Sequence, residues 1–148
     1  MVFMAQLTFP IVARELKIAV LINIAASDLV LLQAANQPSP QSVTAVATLD
    51  TGSNVTCVSS AIIQQLGLSL STSSTTSGIG GPVSVRLFRA SLMIVDPTQP
   101  QVPWYVVADL EVMELPPGSR VNVILGMDVL LNFRLFIDGP GQTFTIDF

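Results

Sequence analysis

The sequence predicts an all-β fold, a barrel or a sandwich, with one or two short helices. Glycine and proline recur along the chain from Pro10 to Gly141 and mark frequent turns. The segments between these turns are short and rich in Val, Ile, Leu, Thr and Phe, a composition typical of strands. Short strands separated by regular turns are characteristic of β-barrels and β-sandwiches.

Six segments have the composition of strands. They are Ile18–Ile24, Val43–Leu49, Val83–Val95, Trp104–Val112, Val121–Leu125 and Thr143–Phe148. In the last of them Phe144, Ile146 and Phe148 alternate with polar residues, so the strand has one apolar face. The turn formers that follow Phe136-Ile137 predict that this strand closes a hairpin.

Two short helices are predicted where the strand pattern breaks. Ser59 or Ser60 can cap the first, which continues to Leu66, and Gly67 suits the position after its end. The second covers Met127–Leu131, and an acidic residue in its first turn suits the positive end of the helix dipole.

Two polar stretches, Ala34–Ser42 and Ser69–Ser77, are predicted to be surface loops. Neither a repeat nor a long linker divides the chain. We therefore expect a single domain over residues 1–148, with an N-terminal strand and loop in 1–42 and the main body in 43–148.

The composition restricts the partners. Net charge is -4, and the six basic residues form no cluster, so we expect neither nucleic-acid binding nor contact with an anionic membrane. Half of the residues are hydrophobic and only 11% are charged. Either the surface is rich in uncharged polar residues, or part of the apolar excess is buried against another chain.

The absence of histidine restricts the chemistry. Without it, Ser-His and Cys-His catalysis and histidine bases are excluded. With Cys57 as the single cysteine, neither a zinc site nor an internal disulfide is expected, and the thiol is interpreted as a small buried apolar group. A hydrolase with this composition would use carboxylates, with no metal and no cofactor.

The apolar stretch from Leu16 to Ala35 raises the question of a membrane or export signal. Lys17 and Asp28 interrupt it, which argues against a spanning helix. Ile18–Ala26 could mimic the core of a signal peptide, but its Val, Ile and Leu content favours a buried strand. The expected location is therefore the cytoplasm.

One short motif places a carboxylate where chemistry is possible. Asp50 follows an apolar strand and enters a turn with Thr51, Gly52 and Ser53. The glycine lets the backbone turn tightly and approach a ligand, and the hydroxyls can orient the carboxylate. Asp, Thr, Gly and Ser are also ordinary turn formers, so the tripeptide alone does not decide the function.

Three further segments stand in a fixed order around this motif. They are the helix ending at Gly67-Leu68, the glycine-rich Ser77–Gly81, and the apolar strand that meets Gly126 before the second helix. Together with Asp50-Thr51-Gly52 they resemble the retropepsins, the retroviral-type aspartic proteases. The resemblance covers about Val43 to Phe148, which would be the protease core.

The resemblance implies a role for each segment. Asp50 would be catalytic, Thr51 would link the two active-site loops of a dimer, and Gly52 would offer its carbonyl to the substrate. Gly78, Ile79, Gly80 and Gly81 would form a flap over the bound peptide, and Ile124 would line a substrate pocket. Gly126 would allow close packing of the helix, and Asp128 would bond the loop around Asn54 and Thr56.

The chain also departs from the retroviral pattern. Ser53 replaces the usual Ala, and its hydroxyl is expected to donate to the carboxylate and favour the ionised form. Met127 replaces the usual Arg, as in cellular and retrotransposon relatives. Ala25–Ser42 and Asp96–Pro103 look like insertions.

A single Asp-Thr-Gly implies two copies. Two carboxylates that share one proton can activate water and protonate the substrate carbonyl, and a C2 homodimer brings two identical loops together. We therefore predict an aspartic endopeptidase acting on extended peptide as a homodimer, with Phe144, Ile146 and Phe148 at the interface.

Two alternatives remain open on the sequence. One is a non-catalytic domain of the same fold that dimerises or binds a peptide, since fold alone does not determine function. The other is an unrelated β-barrel with a chance Asp-Thr-Gly, which would require the other three segments to coincide as well.

Overall fold

A computed structural model describes residues 6–147, with only the backbone described for residues 100–102. Within this range the chain is mostly β. The strands are β1 Gln6–Pro10, β2 Lys17–Ile24, β3 Val43–Leu49, β4 Cys57–Val58, β5 Ser69–Gly78, β6 Gly81–Asp96, β7 Gln99–Glu114, β8 Val123–Leu125, β9 Arg134–Asp138 and β10 Thr143–Asp147. The helices are α1 Ala26–Ala34, α2 Ser60–Leu66 and α3 Met127–Leu130.

The larger sheet closes into a barrel. Its strand order is β2-β3-β8-β4-β7-β6-β5, and an additional β2–β6 pairing joins distant strands. Val20, for example, lies opposite Ala45 of β3 and opposite Ile94 of β6. The predicted all-β barrel is confirmed, and each of the six predicted strand segments contains a strand, although the fifth begins at Val123 instead of Val121.

The barrel interior follows the alternation expected of strands that are buried on one face. Along β2, Ile18, Val20, Ile22 and Ile24 are buried, whereas the residues between them are more exposed. They belong to one apolar core that also receives α2 and residues of the smaller sheet. The strand interpretation of Ile18–Ala26 is therefore confirmed for the segment up to Ile24.

The smaller sheet joins the two ends of the described chain. Its order is β1-β10-β9, with both pairings antiparallel. Phe9 lies opposite Phe144, and their rings stack with centroids 5.2 Å apart. Phe144 and Ile146 are buried within this same chain, so their predicted place at a dimer interface is wrong. Phe148 lies outside the described residues.

The predicted loop Ser69–Ser77 is instead most of β5. Every residue of the segment lies in the strand, which pairs with β6 from Ser69↔Arg89 to Gly78↔Gly81. The polar side chains lie largely exposed while the backbone hydrogen bonds to β6 form the ladder. Similarly, much of Asp96–Pro103 belongs to the β6–β7 hairpin, which turns at Pro97-Thr98.

The segment Ala25–Ser42, which looked like an insertion, contains α1, whereas the predicted loop Ala34–Ser42 is irregular after Ala34. Ala25 provides no side-chain cap, and α1 has apolar residues on all sides, so two usual signals of a helix, capping and periodicity, are missing. Among residues 6–147, no helix is both long enough and apolar enough to cross a membrane.

Candidate active site

The end of β3 holds Asp50 in place. β3 runs parallel to β8, with Leu49 opposite Leu125. The Asp50 backbone N–H donates to the Leu125 carbonyl across 3.0 Å, so the pairing extends one residue beyond the strand. Asp50 therefore lies at the end of a partly buried strand pair, and it is exposed to solvent.

The turn after Asp50 positions its carboxylate. The Gly52 N–H donates to Asp50 Oδ1 at 2.8 Å, and the Ser53 N–H donates to the Asp50 carbonyl at 3.2 Å. A Cβ on Gly52 would lie 3.1 Å from Asp50 Oδ1, which explains the need for a small residue. Asp50 Oδ2 receives no donor from the described residues, so it is available to a ligand or to a second carboxyl group.

Ser53 does not act as the sequence suggested. Its hydroxyl donates to the Val55 carbonyl at 2.7 Å and so bonds the loop backbone instead of the Asp50 carboxylate. The predicted hydrogen bond from Ser53 to Asp50 is wrong, because the hydroxyl donates to the Val55 carbonyl instead. Thr51, by contrast, is exposed at the tip of the turn, where it can meet another molecule.

Cys57 lies just behind this loop, at the start of β4. Its side chain is buried, as the sequence indicated. Burial raises the pKa of the Cys57 thiol above its ordinary value, and the negative charges of Asp128 and Asp50 act in the same direction, while a hydrogen bond with Ser53 opposes them. The thiol therefore stays protonated and contributes packing instead of nucleophilic chemistry.

Asp128 fixes the back of the loop. Thr56 donates to it twice, from the backbone N–H to Oδ2 at 3.0 Å and from the hydroxyl to Oδ1 at 2.7 Å. The Thr56 hydroxyl also accepts a bond from the Gly126 N–H at 3.2 Å, inside the core. The predicted role of Asp128 in bonding the loop around Thr56 is confirmed.

The start of α3 packs directly on the same loop. Met127 N–H donates to the Ser53 carbonyl at 2.7 Å, and Asp128 N–H donates to the Asn54 carbonyl at 3.2 Å. A Cβ on Gly126 would lie 2.6 Å from the Val55 carbonyl carbon, a distance that backbone atoms cannot accommodate. This confirms that Gly126 allows the helix to approach closely.

Ile124 lies in β8 beside the Asp50 loop. It pairs with Thr48 of β3 on one side and with Cys57 of β4 on the other, and its side chain is half-buried. The structure therefore brings Ile124, Gly126 and the Asp50 loop together, as the sequence suggested.

The glycine-rich segment forms the tip of the β5–β6 hairpin. Gly78 and Gly81 are its last pair, and Ile79 is fully exposed between them. Gly81 has φ +112°, a conformation that favours glycine. We call residues 72–86 the flap hairpin, because this part of β6 pairs with β5 alone and extends beyond the β6–β7 pairing, which starts at Leu87↔Met113.

An ion pair at the base of this hairpin was not found from the sequence. Arg86 donates to both carboxylate oxygens of Glu114, at 2.8 and 2.9 Å, and its guanidinium lies over the Phe88 ring. A cavity of about 570 Å³ separates the hairpin from Met113–Pro117. The two charged residues are 28 positions apart, so only the strand register brings them together.

The carboxylates do not assemble into a metal site. Among residues 6–147, no group of three or more Cys, Asp or Glu side chains could hold a metal ion. The Asp128 carboxylate accepts two hydrogen bonds from Thr56, so Asp50 is the carboxylate that the loop presents to solvent. One such group can act as a base or as an acid but supplies only half of an acid–base pair.

Comparisons with known proteins agree with this geometry. Residues 24–129 match the family model described as "Aspartyl protease". A retropepsin-like aspartic protease from Rickettsia conorii is similar in structure, with a TM-score of 0.61 and 14% identity over 99% of this chain and 93% of that one.

EIAV protease complexed with the inhibitor HBY-793 aligns with a TM-score of 0.46 and 17% identity, over 82% of this chain and 89% of that one. No curated protein matches the chain in sequence. At these identities, the similarity to the Rickettsia structure establishes the retropepsin-like fold alone.

Proposed function

Because the chain belongs to the aspartyl protease family, we propose that it is an aspartic endopeptidase whose catalytic pair consists of Asp50 from two copies. The observation that carries the proposal is the exposed Asp50 carboxylate, held by the Gly52 N–H on one oxygen and open on the other. This family relationship and the retropepsin-like barrel support the proposal; the activity and the dimer are inferred.

Two such carboxylates would perform the reaction together. At about 3 Å separation like charges do not both ionise, so one proton is shared by the pair. The ionised member would take a proton from water, and the protonated member would donate to the carbonyl oxygen of the scissile peptide. With no His in the chain, this division of roles supplies both the base and the acid.

The remaining predicted site residues receive roles in binding. Thr51 would contact the loop of the second copy, and the Gly52 carbonyl would bond the substrate backbone. Residues 78–81 at the tip of the flap hairpin would close over an extended peptide, and Ile124 would contact one of its apolar side chains. Ser53 would act through the loop backbone, consistent with its bond to Val55.

The second copy needs a surface, and β9 provides a candidate. β10 has neighbours on both sides, whereas the outer edge of β9 is unpaired among the described strands. Phe136 and Ile137 of β9 are 56% and 60% exposed. An open edge strand with large apolar side chains favours association with another chain.

The proposal also extends to the domain organisation. The two sheets share one apolar core, which supports a single protease domain over residues 1–148. This domain would bind a peptide or protein substrate without a metal or an organic cofactor.

Cleavage of a denatured protein at about pH 5, where one member of a carboxylate pair is protonated, tests the proposal. Asp50→Asn should abolish cleavage yet sediment as a dimer, and a statine-type transition-state mimic should inhibit the unaltered chain. Asp96→Asn, which changes a carboxylate in the β6–β7 turn, is the matched control and should remain active. Full activity of Asp50→Asn would refute the mechanism. Inhibitor binding without cleavage would indicate a non-catalytic peptide-binding domain.

A further inference from the structure

The cavity beside the flap hairpin has two walls that come from different parts of the chain. One wall belongs to the hairpin and includes Val83, Val85 and Arg86. The other wall is Met113–Pro117, at the end of β7 and in the loop after it. The volume of about 570 Å³ lies within the range of natural ligand pockets. The cavity can therefore hold a side chain and part of the backbone of an extended peptide.

This cavity lies next to the candidate active site. Met113 is paired with Cys57 of β4, and Cys57 is paired with Ile124 of β8. Residues paired across a sheet share a face, and Met113 and Ile124 are two strand spacings, about 10 Å, apart. An extended peptide rises about 3.4 Å per residue, so a peptide that contacts Ile124 reaches the cavity within about three residues. The Met113 N–H also donates to the Thr56 carbonyl at 2.9 Å, which ties this wall to the loop that follows Asp50.

An ion pair joins the two walls of the cavity. Arg86 belongs to the hairpin wall and Glu114 to the opposite wall, and both residues line the cavity. Arg86 Nε and Nη2 donate to the Glu114 carboxylate at 2.8 to 3.0 Å. An occupant of the cavity therefore meets a positive and a negative group side by side.

Both members of the pair can form further hydrogen bonds. A guanidinium has five N–H donors, and the two on Arg86 Nη1 have no acceptor among the described residues. Glu114 Oε2 accepts a single bond, from Arg86 Nη2, and has a second lone pair. The Arg86 side chain is 56% exposed and the Glu114 side chain is 17% exposed, so an occupant can reach both.

We propose that this cavity is a specificity site that selects the carboxamide side chain of a Gln residue in the bound peptide. The inference rests on the proposed function, because it names a side chain that the same peptide cleft selects. The carboxamide oxygen accepts from Arg86 Nη1, and the carboxamide NH₂ group donates to Glu114 Oε2. The aliphatic stem of the Gln contacts the apolar side chains of Val83, Val85 and Met113.

A neutral polar side chain matches the ion pair better than a charged or an apolar one. A Glu side chain is attracted to Arg86 but repelled by Glu114, and a Lys side chain meets the opposite combination. A Met side chain displaces water without replacing its hydrogen bonds, which leaves the free donors of Arg86 unpaired. Gln carries an acceptor and two donors in one uncharged group.

The test is a series of acetylated, amidated statine peptides, Val-Val-Val-Sta-Val-Val, in which each Val in turn is replaced by Gln, Glu, Lys or Met. Calorimetry with the full-length chain measures each dissociation constant at about pH 6.5, where a Glu side chain is ionised. At one position or more, the Gln peptide should bind about tenfold more tightly than the other three, the effect of one well-placed hydrogen bond. Amide chemical shifts in NMR should change in residues 83–86 and 113–115.

Two variants of the chain should change the preference in opposite directions. Arg86→Met leaves the Glu114 charge without a counter-ion, so the Lys peptide should become the tightest of the series. Glu114→Gln leaves the Arg86 charge without a counter-ion, so the Glu peptide should become the tightest. Because peptides are compared within one variant, a uniform loss of affinity from a looser hairpin does not affect this order.

The matched control is Arg89→Met. It removes a guanidinium three positions along β6 that pairs with Asp28 and does not line the cavity. The Gln peptide should remain the tightest in this variant.

Four results would overturn the inference. These are the lack of a position at which Gln is preferred, a Gln preference that survives in Arg86→Met, chemical shift changes confined to residues outside the cavity, and no binding of any peptide below about 1 mM. The last result counts against the inference whether or not a denatured protein is cleaved. A Gln preference that changes as expected in both variants of a chain without cleavage activity would refute the proposed protease function alone.

Discussion

At the scale of single residues, the conformation of the Asp50 loop depends on the absence of a Cβ atom at Gly126. Gly126 brings the start of α3 so close to the loop that a Cβ would lie 2.6 to 2.9 Å from backbone atoms of Val55 and Ser53. We expect Gly126→Ala to destabilise the fold by about 1–3 kcal/mol, because backbone atoms must move. Gly139→Ala is the control, since its Cβ would meet nothing within 4 Å. Urea unfolding measures both, and equal midpoints would contradict the packing described.

Cys57 makes the stability of the fold depend on pH in the alkaline range. Burial raises the pKa of its thiol above 9.0, so between the unfolded and folded values the native state binds more protons. The contribution of Cys57 to stability should therefore be constant below about pH 8.5, the pKa of a free thiol, and should decline as the pH rises further. Cys57→Val should remove this part of the decline in stability, as measured by urea unfolding at pH values below and above the pKa of the free thiol. An identical pH dependence in the variant would refute the assignment.

At the scale of elements, the sequence predicted the strands and helices whose residue pattern indicates one buried face. It did not predict the elements that lack such a pattern. β2 and β10 alternate, and α2 ends at Gly67 in the left-handed conformation, so sequence signals and structure agree. In β5, apolar and polar residues do not alternate. The segment is a strand because its backbone pairs with β6. α1 has apolar residues on all sides and lacks a side-chain cap, so neither periodicity nor capping identified it.

The flap hairpin is held at its base by the Arg86–Glu114 pair. Arg86 is the first residue of β6 beyond the pairing with β7, so its ion pair crosses the point where the hairpin leaves the barrel. We expect Arg86→Met to change global stability by less than about 1 kcal/mol, because the guanidinium is largely exposed. Amide hydrogen exchange in residues 72–86 should become faster.

The matched control for this variant is Lys17→Met, which breaks the exposed pair with Glu15 outside the hairpin. It should leave exchange in the flap hairpin unchanged. If the two variants exchange alike in residues 72–86, the Arg86 ion pair has no part in restraining the hairpin.

At the scale of the whole molecule, the candidate site was predictable from the sequence and its partner surface was not. Asp50, Gly126 and Asp128 lie within short segments whose order along the chain resembles that of the retropepsins, and the resemblance identified them. The interface residues predicted on β10 are wrong because alternation reveals an apolar face without revealing what covers it. Phe144 is covered by Phe9 of the same chain, and the exposed apolar residues of the hairpin lie on β9.

If the proposed dimer forms through the open edge of β9, a charge placed on that edge should disrupt it. Phe136→Glu places a charge on the open edge, so we expect a monomer in sedimentation at micromolar concentration and a parallel loss of cleavage. The circular dichroism spectrum should not change, because Phe136 is largely exposed. Val46→Glu alters an equally exposed residue of β3 and should stay dimeric and active. A dimeric, active Phe136→Glu would assign the interface to another surface.

The β1–β10 pairing has a consequence for how the chain folds. Thr8 and Thr145, which share a hydrogen bond, are 137 positions apart. Bringing such distant segments together has a large entropic cost, which slows folding. We therefore expect the β9–β10 hairpin to form before β1 docks on it. Until β1 docks, Phe144 lacks its stacking partner Phe9. Its ring, which is fully buried in the folded protein, is then among the groups most exposed to misfolding contacts.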